Sequence, residues 1–185
     1  MSWFKKLFGA SHDESTPPTD SPPELAAKLL EAETFADQLE DYLLSDKLFW
    51  QISVETPVGT RQPKMTLGSL YERIQYLQAH AEELGPNDRR RLEKIERAWE
   101  EAQRQYPSQW REKLRREYRS YMNNWKYFLE QRASNPERWA QEYKFEVRNR
   151  ERARLVLRLL GPDAADLAKE FEQVEKSLDV SPENQ

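Results

Sequence analysis

The chain has 185 residues, 34% of them charged, and a net charge of −4, with a mean hydropathy of −1.01. The absence of cysteine excludes disulfides, thiolate metal sites and cysteine nucleophiles. No stretch approaches the ~20 apolar residues that a membrane-spanning helix requires, and the scarcity of glycine favours helix.

Residues 1–9, MSWFKKLFG, form an amphipathic segment if they are helical, with the apolar side chains on one side and the lysines on the other. Large aromatic rings beside lysines are typical of helices that lie at the surface of an anionic membrane. The alternatives are docking onto the protein's own core or onto a partner, and simple disorder. The predicted membrane contacts are Trp3, Phe4, Lys5, Lys6, Leu7 and Phe8.

Residues 10–23 are predicted to be a disordered acidic linker, because they are polar and interrupted by prolines. A helical domain is expected over 24–178, followed by a disordered tail over 179–185. The start of this domain has a capping-box pattern, in which Ser21 caps the helix and Glu24 follows three residues later. The apolar positions that follow are spaced as on one face of a helix: Leu25, Leu29, Ala32, Ala36, Leu39 and Leu43.

Residues 49–65 break the helical spacing. Trp50, Ile52 and Val54 alternate with polar residues, which is the period of a half-buried strand. Since a lone strand leaves backbone donors unpaired, we expect either a small β-hairpin with residues 60–65 or pairing with another chain.

Helical spacing resumes at Leu67 and predicts a helix up to Leu84, which Gly85 and Pro86 end. Asn87 or Asp88 is expected to cap the next helix. Pro107 either kinks this helix or separates two helices. Later helices begin after Asn135 and after Gly161. The sequence therefore predicts an all-α fold of five or six helices, as an antiparallel bundle or as coiled-coil-like hairpins.

Histidine offers little for catalysis, since the chain has only His12 in the linker and His80 on a helix. Leu77 stands where a Glu-x-x-His metal motif would need glutamate, and no glycine-rich phosphate loop is present. We expect no catalytic residues, no metal and no cofactor. An enzyme that uses a pair of carboxylates is the alternative within the enzyme class.

Residues 86–160 carry sixteen Arg and four Lys against twelve acids, with aromatic residues between them. This mixture suits single-stranded nucleic acid, because arginine binds phosphate and aromatic rings stack on bases. Many arginines also follow an acid by one turn, as on an ordinary solvated helix face. The alternative nucleic-acid contacts are Arg111, Arg115, Arg119, Arg150, Arg154 and Arg158.

The sequence thus predicts a non-enzymatic interaction or adaptor protein whose partner is another protein. The partner would bind a helix face or the strand edge at residues 50–54. Loose tethering to an anionic membrane by residues 1–9 and association into a homo-oligomer are compatible with the pattern. Because the apolar part of the N-terminus is too short for a secretory signal, we expect the cytoplasm, at the inner face of a membrane.

Overall fold

Helix dominates the computed structural model of the protein, which describes residues 19–131, 134 and 136–179. It accounts for 77% of the described residues, so the predicted all-α class is confirmed. The helices are α1 (Pro23–Asp37), α2 (Leu39–Leu44), α3 (Leu67–Ala79), α4 (Pro86–Gln105), α5 (Pro107–Glu130), α6 (Pro136–Leu160) and α7 (Ala165–Asp179). A 3-10 turn (Gly161–Ala164) joins α6 to α7.

The described chain forms two compact units, the first ending at Lys113 and the second beginning at Leu114. The division falls inside α5, so this helix contributes residues to both units. Each unit is described separately below.

The core of the first unit forms around α1, which packs against α3 and α4. All six apolar positions of the predicted stripe are buried, and Ala26, Ala27 and Phe35 beside them are fully buried as well. Small alanine side chains let neighbouring helices approach closely, while Phe35 fills the remaining space with a ring. Because helix α1 is covered on more than one side, its apolar face is wider than the spacing alone indicated.

A short antiparallel β-pair lies between α2 and α3. Strand β1 (Trp50–Gln51) pairs with β2 (Lys64–Met65), and Val54 bridges to Arg61 through two backbone hydrogen bonds of 2.9 Å. The side chains of Ile52 and Val54 are buried and the intervening polar residues are exposed, as period-2 alternation requires. The residue Gly59 has φ +106, which places it in the left-handed region that the turn needs.

The side chain of Glu31 forms a buried ion pair that joins three elements of the first unit. Its carboxylate in α1 accepts hydrogen bonds from Arg73 of α3 at 2.8 Å and from Arg61 of the β-pair at 3.3 Å. Arg61 also binds Glu24 at 3.0 Å. Burying a carboxylate is costly unless it is paired, and here two guanidinium groups supply the pairing.

Helix α3 ends earlier than its spacing predicted, at Ala79 rather than near Leu84. The chain then turns, and the side chain of Leu84 is still buried in the core although its backbone is not helical. The carbonyl oxygens of Glu82 and Leu84 accept hydrogen bonds from the guanidinium of Arg89. The turn is thus stabilised by a side chain of the next helix, which periodicity cannot reveal.

The first turn of α4 is capped from a distant part of the sequence. The Asp20 carboxylate accepts hydrogen bonds from the backbone amides of Asn87 (3.2 Å) and Asp88 (3.3 Å). The hydroxyl of Ser21 donates to the Asp88 carboxylate at 2.6 Å and accepts from the amide of Gly85 at 3.1 Å. The predicted capping roles of Ser21 on α1, and of Asn87 or Asp88 on α4, are therefore wrong.

Pro107 separates two helices, which the sequence left undecided. Helix α4 ends at Gln105, Tyr106 lies between the helices with φ −121 and ψ 49, and Pro107 is the first residue of α5. Proline is favoured at a first helical position because the missing amide would have no partner there. The hydroxyl of Tyr106 donates to Glu40 at 2.5 Å and ties this junction to α2.

In the second unit, α7 follows α6 after a sharp turn and is held to α5 by polar contacts. Gly161 has φ +60, which favours glycine directly after a helix. The hydroxyl of Tyr118 donates to the carbonyl of Leu167 at 2.9 Å, and Arg115 binds the Asp166 carboxylate at 2.9 Å. An ion pair between Lys126 and Glu170 continues the same row.

Candidate functional site

A cavity of about 410 Å³ lies in the second unit, between the C-terminal half of α5 and the N-terminal half of α6. Pockets for small molecules usually have ~300–1,000 Å³. The cavity is lined by aromatic, amide and carboxylate side chains: Asn124, Tyr127, Phe128, Gln131, Trp139, Glu142, Glu146 and Asn149. We refer to it as the aromatic pocket.

Helical spacing explains why these side chains meet. Three lining residues belong to α5, Gln131 follows directly after its end, and four belong to α6. Within each set the residues are separated by one, three or four positions, so they lie on one side of their segment. The two helices are consecutive in the chain, with α5 ending at Glu130 and α6 beginning at Pro136. A short connection of this kind is enough to bring the two faces together.

Stacked rings form one wall of the aromatic pocket. The rings of Phe128 and Trp139 lie parallel, with centroids 5.7 Å apart and planes 11° apart. Tyr143 packs against Trp139 at 5.0 Å, and the fully buried Trp125 stacks on Phe128 at 5.6 Å. The Nε1 of Trp125 has no hydrogen-bond acceptor among the described residues. The cluster therefore holds rigid rings at the base of the pocket.

The polar part of the lining is acidic. Glu142 and Glu146 are the charged residues among the described lining side chains, and no lysine or arginine is among them. The amide of Asn149 donates to the Glu146 carboxylate at 2.8 Å, which fixes the position of that carboxylate. The pocket therefore combines flat rings with negative charge and with oxygen atoms that accept hydrogen bonds.

Three aromatic side chains of α5 and α6 are exposed to solvent. Tyr127, which lines the pocket, is 65% exposed, and on α6 Tyr143 is 38% and Phe145 is 54% exposed. The Nζ of Lys144 lies 4.9 Å from the ring centroid of Phe145, so this ring carries a cation–π contact.

The N-terminal contacts predicted from the sequence, Trp3, Phe4, Lys5, Lys6, Leu7 and Phe8, lie outside the described residues. Their role in membrane contact stays a prediction. Among the described residues, no helix is long and apolar enough to cross a membrane.

Three of the six predicted nucleic-acid contacts bind carboxylates of the second unit. Arg115 binds Asp166 and the carbonyl of Asp163. Arg150 and Arg154 both reach Glu175, and both also contact Glu151. These arginines already have anionic partners that a phosphate would have to displace.

The other three predicted contacts, Arg111, Arg119 and Arg158, are exposed. Arg111 belongs to the first unit, and the other two belong to the second unit. The structure gathers Arg150 and Arg154 around one carboxylate.

The aromatic pocket was not predicted from the sequence. Trp139 and Tyr143 were recognised as apolar positions of a helix, but the polar residues between them looked like a solvated face. The available signal was the grouping of rings with glutamate and amide residues on facing ends of two consecutive helices. Within the described part of the chain, no cluster of three or more acids and histidines could hold a metal ion.

Comparison of the sequence with protein-family models, with curated proteins and with solved structures gave no match.

Proposed function

We propose that the protein is a non-enzymatic interaction protein of the adaptor type, which binds another protein through the aromatic pocket and its rim. The observation that carries the proposal is the cavity with rings on its wall and an exposed tyrosine, Tyr127, at its edge. Aromatic residues are enriched at the centres of protein interfaces, where a few large side chains provide most of the binding energy.

The choice of a protein partner follows from the balance of charge and exposed rings. The described lining carries two carboxylates and no cation, which is unfavourable for the phosphates of nucleic acid. Rings such as Tyr127 and Phe145 would gain ~1.5–3 kcal/mol each on full burial by a partner. Short helical bundles, antiparallel within each unit as the sequence suggests, would serve as the scaffold that presents them.

The proposal includes reversible attachment to an anionic membrane through residues 1–9. Burial of each large apolar side chain is worth ~1.5–3 kcal/mol and each lysine adds ~1 kcal/mol at an anionic surface. Ordering the backbone costs ~1–2 kcal/mol per residue, so most of this gain is offset and the attachment is weak. Weak attachment at the inner face of a membrane suits a cytoplasmic adaptor that also binds a second partner.

A photo-crosslinking amino acid, p-benzoylphenylalanine, at position 127 tests partner binding in cells that produce the full chain. We expect a light-dependent adduct of defined mass that disappears when Trp139 is replaced by alanine, in a variant whose far-ultraviolet circular dichroism matches that of the parent chain. The matched control carries the same crosslinker at Glu172, an exposed position of α7 outside the pocket. Equal adducts at both positions would contradict the proposed site, and an adduct of twice the chain mass would identify a second copy as the partner.

Flotation with anionic vesicles tests the membrane part separately. The full chain is compared with a chain that lacks residues 1–10. We expect flotation of the full chain alone, and weaker flotation as salt rises. If neither chain floats, the membrane part of the proposal is wrong while the crosslinking result stands by itself.

A further inference from the structure

We infer that the aromatic pocket binds an arginine side chain of the protein partner. This inference rests on the proposed function, since it names the chemical group by which the partner would be recognised. It is carried by the combination of stacked rings, carboxylates and amide oxygens around one cavity of about 410 Å³.

The aromatic rings of the pocket favour a planar bound group. A guanidinium is planar and more weakly hydrated than an ammonium ion, so it stacks on aromatic faces at a small desolvation cost. The parallel pair Phe128 and Trp139 and the exposed Tyr127 supply such faces at the cavity. An aliphatic side chain could fill the same space but would offer no hydrogen-bond donor to the carboxylate of Glu146.

The polar side chains of the pocket supply acceptors for the N–H donors of a bound guanidinium. Six oxygen-bearing side chains surround the cavity, two with carboxylates, three with amides and one, Tyr127, with a hydroxyl. A guanidinium has five N–H donors and pairs with carboxylates in a bidentate fashion, so it can satisfy several of these oxygens together. A quaternary ammonium has no donor at all, and an anion would be repelled by Glu142 and Glu146.

Four cationic side chains of α5 and α6 contact groups outside the pocket lining. Lys126 pairs with Glu170 and Arg150 pairs with Glu175. Lys144 and Arg148 both lie against the ring of Phe145. Within the described residues Glu146 forms no ion pair and accepts its hydrogen bond from the neutral amide of Asn149. A cation from a partner would therefore complete the pairing of this carboxylate.

The experiment titrates the full chain with the tripeptide acetyl-Gly-Arg-Gly-amide and follows the indole N–H signals of the tryptophans by NMR. Two control peptides replace arginine by lysine or by citrulline, which keeps the shape of arginine but has no charge. We expect a saturable shift of the Trp139 signal with the arginine peptide. Affinity should fall about tenfold for citrulline, because a charge-assisted hydrogen bond to a carboxylate is lost, and less for lysine.

Two variants locate the binding at the pocket. The substitution Glu146→Gln keeps the size of the side chain and should weaken the arginine peptide about tenfold. Glu172→Gln removes an equal charge from an exposed position of α7 and should leave the affinity unchanged. Because Trp139 packs in the ring cluster and its replacement could unfold the site, the conservative glutamine variant decides the outcome.

The inference is overturned if the arginine and citrulline peptides bind equally, if no signal saturates at millimolar peptide, or if both glutamine variants behave alike. Such a result together with a Trp139-dependent crosslink at position 127 would refute arginine recognition and leave the protein partner in place. Saturable arginine binding without any crosslink would instead refute the adaptor proposal and retain the site.

Discussion

Replacing the buried carboxylate of Glu31 by alanine should destabilise the first unit far more than replacing its exposed neighbour Glu24. The Glu31 side chain is 5% exposed and contacts two guanidinium groups, those of Arg73 (20% exposed) and Arg61 (33% exposed). Removing one partner of a buried ion pair typically costs ~3–5 kcal/mol, because the remaining charge stays desolvated.

The expected cost for Glu31→Ala lies near the lower end of that range, at about 3 kcal/mol. Arg61 keeps its contact with Glu24 at 3.0 Å, and Arg73 keeps a hydrogen bond to the Ser69 carbonyl at 3.0 Å. Glu31→Gln retains hydrogen-bond acceptance and should cost less, about 1–2 kcal/mol. Glu24 is 66% exposed, so Glu24→Ala should cost below about 1 kcal/mol.

Urea unfolding followed by far-ultraviolet circular dichroism measures these differences, with a constant m-value showing that the unfolding transition itself is unchanged. A local readout is amide hydrogen exchange at Val54 and Arg61, which bond to each other across the β-pair. Exchange there should accelerate in Glu31→Ala, since Arg61 anchors the pair to α1. If Glu31→Ala and Glu24→Ala lowered the free energy of unfolding equally, burial would not explain the contribution of Glu31 to stability.

Three further results are expected. The hydrogen bond from Arg115 lowers the pKa of Asp166 to about 2. Because the pKa in the folded state is depressed, the stabilisation is present above about pH 4 and is lost as pH falls toward 2. Melting temperatures of the parent chain and of Asp166→Asn should therefore converge in this acid range, and a constant difference would contradict the pairing. A Cβ at position 85 would overlap the carboxyl group of Asp20 and displace it from the amides of α4 that it caps, so Gly85→Ala should lower the free energy of unfolding by about 0.5–2 kcal/mol. Combined with Asp20→Ala the cost should be less than additive in urea unfolding, whereas strict additivity would show that the clash is elsewhere. In a fluorescence anisotropy titration, the affinity for single-stranded RNA should not depend steeply on salt, because three of the six predicted arginine contacts bind carboxylates. A steep salt dependence that is lost on charge reversal of the exposed arginines would refute this expectation.

The sequence could predict which segments are helical, because the spacing of apolar residues along a helix is a local pattern. Apolar residues from Leu25 to Leu43 recur at three and four positions, and all six proved to be buried. If α1 and α2, which only Gln38 separates, are counted as one interrupted helix, the described residues contain six α-helices. The spacing predicted five or six. The period-2 pattern of Ile52 and Val54 likewise matched their burial beside the β-pair.

The ends of helices were less predictable where their partners lie far away in sequence. Ser21 had the pattern of a cap on α1, but its hydroxyl contacts Asp88 and Gly85, more than sixty positions later. Leu84 fits the apolar spacing of α3, although the helix ends at Ala79. A side chain that can cap one helix can equally cap another, so only the packed structure decides which backbone amides it meets.

The candidate site, like the helix caps, depends on contacts that only the packed structure shows. Sequence spacing placed Trp139 and Tyr143 on one face of a helix, but it could not show that glutamate and amide side chains of that face border the same cavity as Tyr127. The arginines that looked suited to phosphate were likewise assigned by spacing alone, and the fold pairs Arg115, Arg150 and Arg154 with acids of α6 and α7.

The sequence by itself determined the helical class, the buried stripes and the position of the β-pair, because these depend on backbone preferences and periodicity within a few residues. The tertiary structure decided the caps, the buried ion pair of Glu31 and the aromatic pocket, because each requires side chains from separate segments to meet at distances of a few ångströms. Charge and hydrogen bonding act over such short ranges that only the packed chain specifies which partners they join.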